Sequence, residues 1–259
     1  MFKDYAEILS KDNDKIKNLR KLNLKKYRDE SGLFAVENFN IVLDAAQSAI
    51  LPESLFITQE FYLKNKAKLE QFLKNLEPSA VFVVSQKIAK TFSNLEEPSG
   101  LTAIYKKRIG QLDMSKNVIY LNGISDPGNL GTILRSALAF DLPNLVLDEN
   151  CADVYGAKTV NAAKDAIFKL NLKFDKNLTV LKQLKESRKI IATRLKKSAD
   201  IKSIKNYPLF CLVLGSEAKG VSEEIQKLTD VFLRVPIGRD IESLNVASAA
   251  AIIFYLINN

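Results

Sequence analysis

Three short blocks carry the residue types that could do chemistry. They are Asn122-Gly-Ile-Ser-Asp-Pro-Gly-Asn-Leu-Gly-Thr-Ile-Leu-Arg135, Leu212-Val-Leu-Gly-Ser-Glu-Ala-Lys-Gly220 and Val235-Pro-Ile-Gly-Arg-Asp-Ile-Glu-Ser-Leu-Asn245. Each reads as a strand running into a glycine-bearing or polar turn and then a helix. Such turns leave backbone groups unpaired at a strand's carboxyl end, where open parallel sheets bind ligands. The side chains there are amides, hydroxyls, a carboxylate (Glu217) and a guanidinium (Arg135), a set suited to gripping and orienting a small polar molecule. The 259-residue chain contains no histidine. That removes the usual general base, the usual activator of a nucleophile and the commonest metal ligand. A Ser-His-Asp triad is excluded, and the sequence argues against a zinc site or any other metal.

Each block admits a plain reading and a sharper one. Asn129 falls near a helix start, where its side chain can cap backbone N–H groups. Arg135, two turns further on, is either a helix-surface cation or an arginine held at the sheet top to grip phosphate bidentately. In the second block an entirely apolar strand, buried on both faces, ends at Gly215, where a ligand can approach the backbone closely. Glu217 is either a turn residue or a carboxylate for a ribose. A Gly-x-Gly-x-x-Gly dinucleotide fingerprint is absent from the chain. In the third block Ser243 and Asn245 open an alanine-rich helix whose small residues let another backbone pack closely.

The elements that must position these blocks alternate. The first half predicts a helix over Asp14–Arg28, strands at 33–36, 54–58, 80–84 and 101–105, and helices near 39–48, 60–76 and 85–92. That is an α/β domain over 1–108. A polar, nonperiodic stretch within Lys106–Lys116 supplies a linker at 109–116. The second domain, 117–259, predicts strands at 117–121, 144–147, 189–193, 209–214 and 231–235. Helices are predicted near 129–140, 159–168, 178–186, 222–227 and 243–257. This pattern gives a mostly parallel sheet covered on both faces.

Net charge is +8, which favours polyanionic partners. Seven cations (Lys15, Lys17, Arg20, Lys21, Lys25, Lys26 and Arg28) occur with no acid between Lys15 and Arg28. They form either a solvated face or a phosphate-contacting edge. Cys151 and Cys211 are far apart and lie in or beside predicted strands, so they read as two buried thiols in a reducing compartment. No apolar run reaches membrane-spanning length, and the charged N-terminus lacks a signal peptide's apolar core; the expectation is a cytoplasmic protein without a membrane partner.

With the three blocks placed in order, the sequence resembles the SPOUT class of RNA methyltransferases, in its SpoU (TrmH) branch of 2′-O-ribose methyltransferases. The first half is similar to the L30e-like substrate-binding domain of ribosomal-RNA members, around Leu19–Glu37 and Glu97-Pro-Ser-Gly-Leu101. The resemblance implies an α/β fold whose C-terminal SPOUT domain is a trefoil knot, a rare exception to unthreaded chains. It implies S-adenosylmethionine as cofactor, with Gly215, Val235, Ile237 and Leu244 lining its pocket. Asn129, Arg135, Glu217, Ser243 and Asn245 fall on the family's functional polar positions. It also implies a homodimer in which both subunits approach the target nucleotide. Arginine is effectively always protonated, so Arg135 is expected to position the ribose hydroxyl and stabilise its developing charge. Three segments differ from frequent family residues. Gly238 comes two residues after Pro236, with Arg239 next; Asn161 and Asp165 stand where relatives often carry arginine and glycine; and Glu37-Asn38 replaces a frequent Glu-Gly. The implied activity is methylation of a ribose 2′-hydroxyl in large-subunit ribosomal RNA. Transfer RNA is the alternative substrate, and a non-catalytic RNA-binding or ribosome-assembly protein is the rival from another class.

Overall fold

The computed structural model describes residues 5–194, 198–216, 219–238 and 240–258. It divides into two compact units. One holds the chain up to Lys107 together with Tyr155–Asn161, and the other holds Arg108–Val154 and Ala162–Asn259.

The first unit runs β1 (Ala6–Ile8), α1 (Asp14–Lys21), α2 (Lys25–Ser31), β2 (Leu33–Val36), α3 (Phe39–Gln47) and β3 (Ser54–Thr58). It continues with α4 (Gln59–Lys64), α5 (Lys66–Leu73), β4 (Val81–Val84), α6 (Gln86–Ala89) and β5 (Leu101–Lys106). Its sheet is ordered β1-β4-β3-β5-β2, with β1, β4 and β3 parallel and β5 antiparallel to both neighbours. One core packs Ile16 and Leu19 of α1 against Phe56, Phe82 and Ile104 of the sheet.

The single helix expected over Asp14–Arg28 is two. Apolar spacing continues through Ile16, Leu19 and Leu22, so periodicity alone does not reveal the break. Tertiary bonds set it. Asn23 Nδ2 donates to the Phe92 carbonyl at 3.1 Å and Asn94 Nδ2 donates to Asn23 Oδ1 at 2.8 Å. The Arg28 guanidinium donates back to the Leu22 carbonyl, and the residue is buried. Arg28 therefore leaves the group of surface cations. Glu37 likewise serves the fold, accepting from Ser93 Oγ and from the Asn94 N–H at 2.8 Å.

The second unit contains β6 (Val118–Asn122), α7 (Pro127–Ala139), β7 (Asn144–Asp148), α8 (Ala157–Ala163, which straddles the division), α9 (Ala166–Lys169) and β8 (Asn171–Asp175). Next come α10 (Thr179–Lys185), β9 (Lys189–Thr193), β10 (Ala199–Asp200), β11 (Phe210–Gly215), α11 (Glu223–Leu228), β12 (Val231–Arg234) and α12 (Val246–Asn258). The sheet order is β10-β12-β9-β11-β6-β7-β8, parallel at every described pair. β11 is inserted between β9 and β6 after both have been laid, and α12 then packs on α7 and β11. Buried Val118, Tyr120, Val146, Cys211 and Val213 form one core with Leu181 and Leu184 of α10. Asp175 ties that helix down, accepting from the N–H groups of Val180 and Leu181 at 2.9 and 3.1 Å and from the Tyr120 hydroxyl at 3.1 Å.

The stretch after Lys107 is anchored rather than loose. The Gly110 N–H donates to the Leu172 carbonyl at 3.1 Å, and Asn144 Nδ2 donates to the Asp113 carbonyl at 2.7 Å. A Cβ at Gly110 would stand 2.7 Å from Asn171 Cα, so glycine permits the approach.

Candidate active site

The three blocks converge because of strand register. Gly215, at the end of β11, is the direct partner of Asn122, at the end of β6. The first and second blocks thus leave the sheet side by side, and the third leaves β12 on the far side of β9.

Asn122 joins the first two. Its Nδ2 donates to Asp148 Oδ2 at 2.7 Å, and its Oδ1 accepts from the Ser222 N–H at 2.8 Å. Asp148 Oδ1 also accepts from the N–H groups of Gly123 and Asn150, at 3.0 and 3.1 Å. Both side chains are buried, where unmet hydrogen bonds are costly, so the pair fixes the turns after β6, β7 and β11. Sequence reasoning passed over Asn122 and Asp148. The available signal was a polar residue closing each of two adjacent apolar strands.

The turn after Gly215 folds back sharply. Gly220, with φ +65°, donates its N–H to the Ser216 carbonyl at 2.8 Å. A Cβ on Gly215 would lie 2.2 Å from the Gly220 carbonyl carbon, so backbone occupies the space any side chain would need.

Two cavities flank this turn. The first, about 480 Å3, is lined by Gly215, Val235, Ile237, Ser243 and Leu244 among others. That volume lies in the range of small-molecule sites. The second, about 550 Å3, is polar in its named groups: Asn122, Ser125, Asp126, Asn129, Asn150 and Ser222. Ser216, Lys219, Gly220 and Val246 line both. Lys219 is the charged residue common to the two among the described residues, and it too was missed from the sequence.

The expected site residues fall as follows. Gly215, Val235, Ile237, Leu244 and Ser243 all line the first cavity. Asn129 lines the second, in the first turn of α7. The cap of that helix is Asp126, whose Oδ1 accepts from the Asn129 N–H at 2.7 Å. Asn245 caps α12, accepting from the Ala247 and Ser248 N–H groups at 3.0 and 3.2 Å, and donates to Asn129 Oδ1 at 3.0 Å. Arg135 is exposed on α7 and is not among the residues lining either cavity. Glu217 and Arg239 lie outside the described residues.

The first cavity fits S-adenosylmethionine. Its apolar walls, Val235, Ile237 and Leu244, suit a flat base, and at Gly215 backbone fills the space a side chain would take. Arg194 and Lys219 supply positive charge for a carboxylate. The Arg194 guanidinium lies 3.7 Å from the centroid of the Phe232 ring, which holds it in place.

Comparison with known proteins agrees with this geometry. The SpoU rRNA Methylase family matches residues 116–255, and the MRM3-like substrate binding domain matches residues 13–103. The chain is 30% identical over 250 residues to the 23S rRNA (guanosine(2553)-2'-O)-methyltransferase RlmP of Bacillus subtilis, covering 96% of this chain and 98% of that protein. It is 28% identical over 153 residues to human mitochondrial rRNA methyltransferase 3, covering 56% of this chain and 35% of that one. Among solved structures, an AdoMet-bound rRNA methyltransferase from Sinorhizobium meliloti superposes with a TM-score of 0.85 at 24% identity, over 98% of this chain and 97% of that one. The SpoU methyltransferase AviRb from Streptomyces viridochromogenes, in complex with AdoMet, gives 0.82 at 20%, over 95% and 97%. At those identities the structural likeness is one of fold, SPOUT in both cases. The family match over more than half the chain and the full-length relative carry the rest: the chain belongs to the SpoU rRNA methylase family.

Proposed function

We propose that this protein is an S-adenosylmethionine-dependent methyltransferase that modifies a ribose 2′-hydroxyl in large-subunit ribosomal RNA. The observation that carries the reading is the pair of cavities that share Ser216, Lys219, Gly220 and Val246 in their walls. One suits the methyl donor, and its neighbour is lined with the amides and hydroxyls a ribose and phosphate require. The full-length relative that acts on 23S rRNA and the substrate-binding domain of the first unit support ribosomal RNA as substrate.

Bound S-adenosylmethionine supplies an electrophilic methyl group on a sulfonium leaving group. The protein's part is then orientation, which can contribute about 7–11 kcal/mol where geometry is ideal. Gly215, Val235, Ile237 and Leu244 hold the donor. Asp126 and the Asn122–Asp148 pair hold the turns rigid, and Asn129, anchored by Asn245, faces the RNA side. Ser243 fixes the third block over the donor, and Lys219 brings a cation to the junction of the cavities. Arg135 positions the 2′-hydroxyl and stabilises its developing negative charge.

Arg135 reaches this position in a homodimer, where one subunit's arginine serves its partner's cavity. The exposed residues of α7 and α12, two helices that pack together, support that arrangement: Ile252 and Tyr255 are 41% and 54% exposed on α12, and Thr132 and Arg135 are exposed on α7. The test is transfer of labelled methyl into ribosomal RNA, with the modified ribose mapped in cells with and without the protein. One mark should vanish from large-subunit RNA. A mark lost from transfer RNA instead would overturn the substrate, and no loss anywhere would overturn the activity.

A further inference from the structure

The first unit has a recess of its own between its leading helices and its sheet. The floor is apolar, made by Leu19, Leu33, Phe56 and Ile104, and the space is about 490 Å3. Asn18, Tyr27, Glu30 and Ser54 also line it, as do Lys15 and Lys21, which are exposed. We propose that this recess receives one unstacked nucleobase of the RNA, with the neighbouring phosphates on the lysines. The inference rests on the RNA reading above and specifies where the first unit grips the strand.

Charge and ring placement argue for that occupant. Lys15 Nζ lies 4.6 Å from the Phe82 ring centroid, and the Lys21 and Lys26 ammonium groups lie 5.7 and 5.8 Å from that of Tyr27. Of these groups Lys15, Lys21 and Tyr27 line the recess, so a cation-flanked ring, that of Tyr27, borders the apolar floor. The same combination stacks a base and neutralises its phosphate in single-strand binding sites. The helix pair carries no acid from Lys15 to Arg28, so it favours a polyanion.

The lining adds hydrogen-bonding groups that a base edge could meet. Asn18 and Ser54 can donate or accept, and Glu30 accepts from an amino or imino N–H. Lys26, 3.9 Å from Glu30, offsets the repulsion between that carboxylate and a phosphate. A paired A-form helix keeps its bases stacked inside, whereas loops and single strands can splay one out. The recess therefore selects unpaired RNA.

Fluorescence anisotropy of the full chain tests this, using a labelled short single-stranded RNA of mixed sequence and the same sequence as a duplex. Tyr27→Ala removes the ring, and Ser54→Leu fills the recess while leaving every lysine in place. Each should weaken single-strand binding about fivefold or more, the loss of one base–aromatic stack. Duplex binding should change by less than about twofold, because its phosphate contacts persist. Thermal unfolding of Ser54→Leu should match the wild type, so that a loss reflects the recess. Undiminished single-strand affinity in Ser54→Leu, or equal losses for both RNA forms, would overturn the proposal and leave the lysines as a phosphate surface only. A wild type that binds RNA through this recess but transfers no methyl would instead sink the methyltransferase reading alone.

Discussion

The side-chain amide of Asn245 donates to the side-chain oxygen of Asn129 at 3.0 Å, joining the start of α12 to the start of α7 across 116 residues of sequence. The other half of the same side chain caps α12. One residue therefore sets where the third block meets the first. Asn245→Ser keeps a capping oxygen but is too short to bridge, so stability should stay near wild type while methyl transfer falls about tenfold, a loss of ~1.4 kcal/mol in transition-state binding. Asn245→Ala should also lose about 1 kcal/mol of stability through the missing cap. Thermal unfolding read beside methyl incorporation separates the two effects, and a fully active Asn245→Ser would remove the bridge from the mechanism.

Gly215→Ala places a methyl group where the Gly220 backbone already stands, 2.2 Å from its carbonyl carbon. The neighbour is backbone rather than a flexible side chain, so the turn itself must shift. Calorimetry should show S-adenosylhomocysteine binding weakened by at least about tenfold, with overpacking costing about 1–3 kcal/mol of stability. Unchanged affinity would mean that the turn does not form the donor's cradle.

Arg135 and Gly215 provide a test of the dimer. Arg135→Ala and Gly215→Ala subunits should each be inactive alone. In mixed dimers the first contributes an intact cavity and the second an intact arginine. Coexpression should then restore about a quarter of wild-type activity, since half the dimers are mixed and each of those holds one complete site. No recovery would place Arg135 in its own subunit's site, and an Arg135→Ala protein active by itself would place it outside the chemistry.

How much of this was legible in the sequence varied with the kind of signal. The strands that build the site, β6, β11 and β12, are apolar runs ended by turn residues, and they could be located directly. Their convergence depended on register and on the late insertion of β11, which local pattern does not encode. β8 was missed because Asn171-Leu-Lys-Phe-Asp175 is a short edge strand that follows α9 with one residue between, and its exposed Phe174 blurs the alternation. The break between α4 and α5 at Asn65 was likewise hidden inside a continuous helical pattern, and Asn65 Nδ2 bonding to the Phe61 carbonyl at 3.0 Å marks it. Of the residues expected at the site, Gly215, Val235, Ile237, Ser243 and Leu244 line the first cavity and Asn129 the second, whereas Arg135 lines neither. Asn122 and Asp148 were not anticipated, because their importance lies in bonding to each other and to Ser222 rather than in any motif.

The Asn122–Asp148 pair makes its own prediction. Asp148→Ala leaves three N–H donors, from Asn122, Gly123 and Asn150, without their acceptor. Replacement of a buried acceptor of this kind should cost about 2–4 kcal/mol in urea unfolding. Asp148→Asn retains one side-chain oxygen and should cost less. Equal stability of all three proteins would show that the turns are held elsewhere.

The two thiols carry a pH dependence with a definite sign. Burial pushes Cys211 up to about 12, opposed by Arg188 and reinforced by Asp175, and burial with the Asp148 carboxylate pushes Cys151 up to about 12. In the unfolded chain both ionise near the ordinary thiol value of 9.0. Because the folded values are raised, this contribution to stability is fully present below the unfolded value and is lost as pH climbs towards the folded one. Unfolding free energy should therefore decline between pH 9.0 and about 12, and a Cys151→Ser, Cys211→Ser double variant should show less of that decline. Thiolate is the nucleophile, so iodoacetamide at about pH 8 should leave both residues unmodified in the native protein and label both in guanidinium. Rapid labelling of native Cys151 would show that water reaches its sulfur and that burial does not govern it.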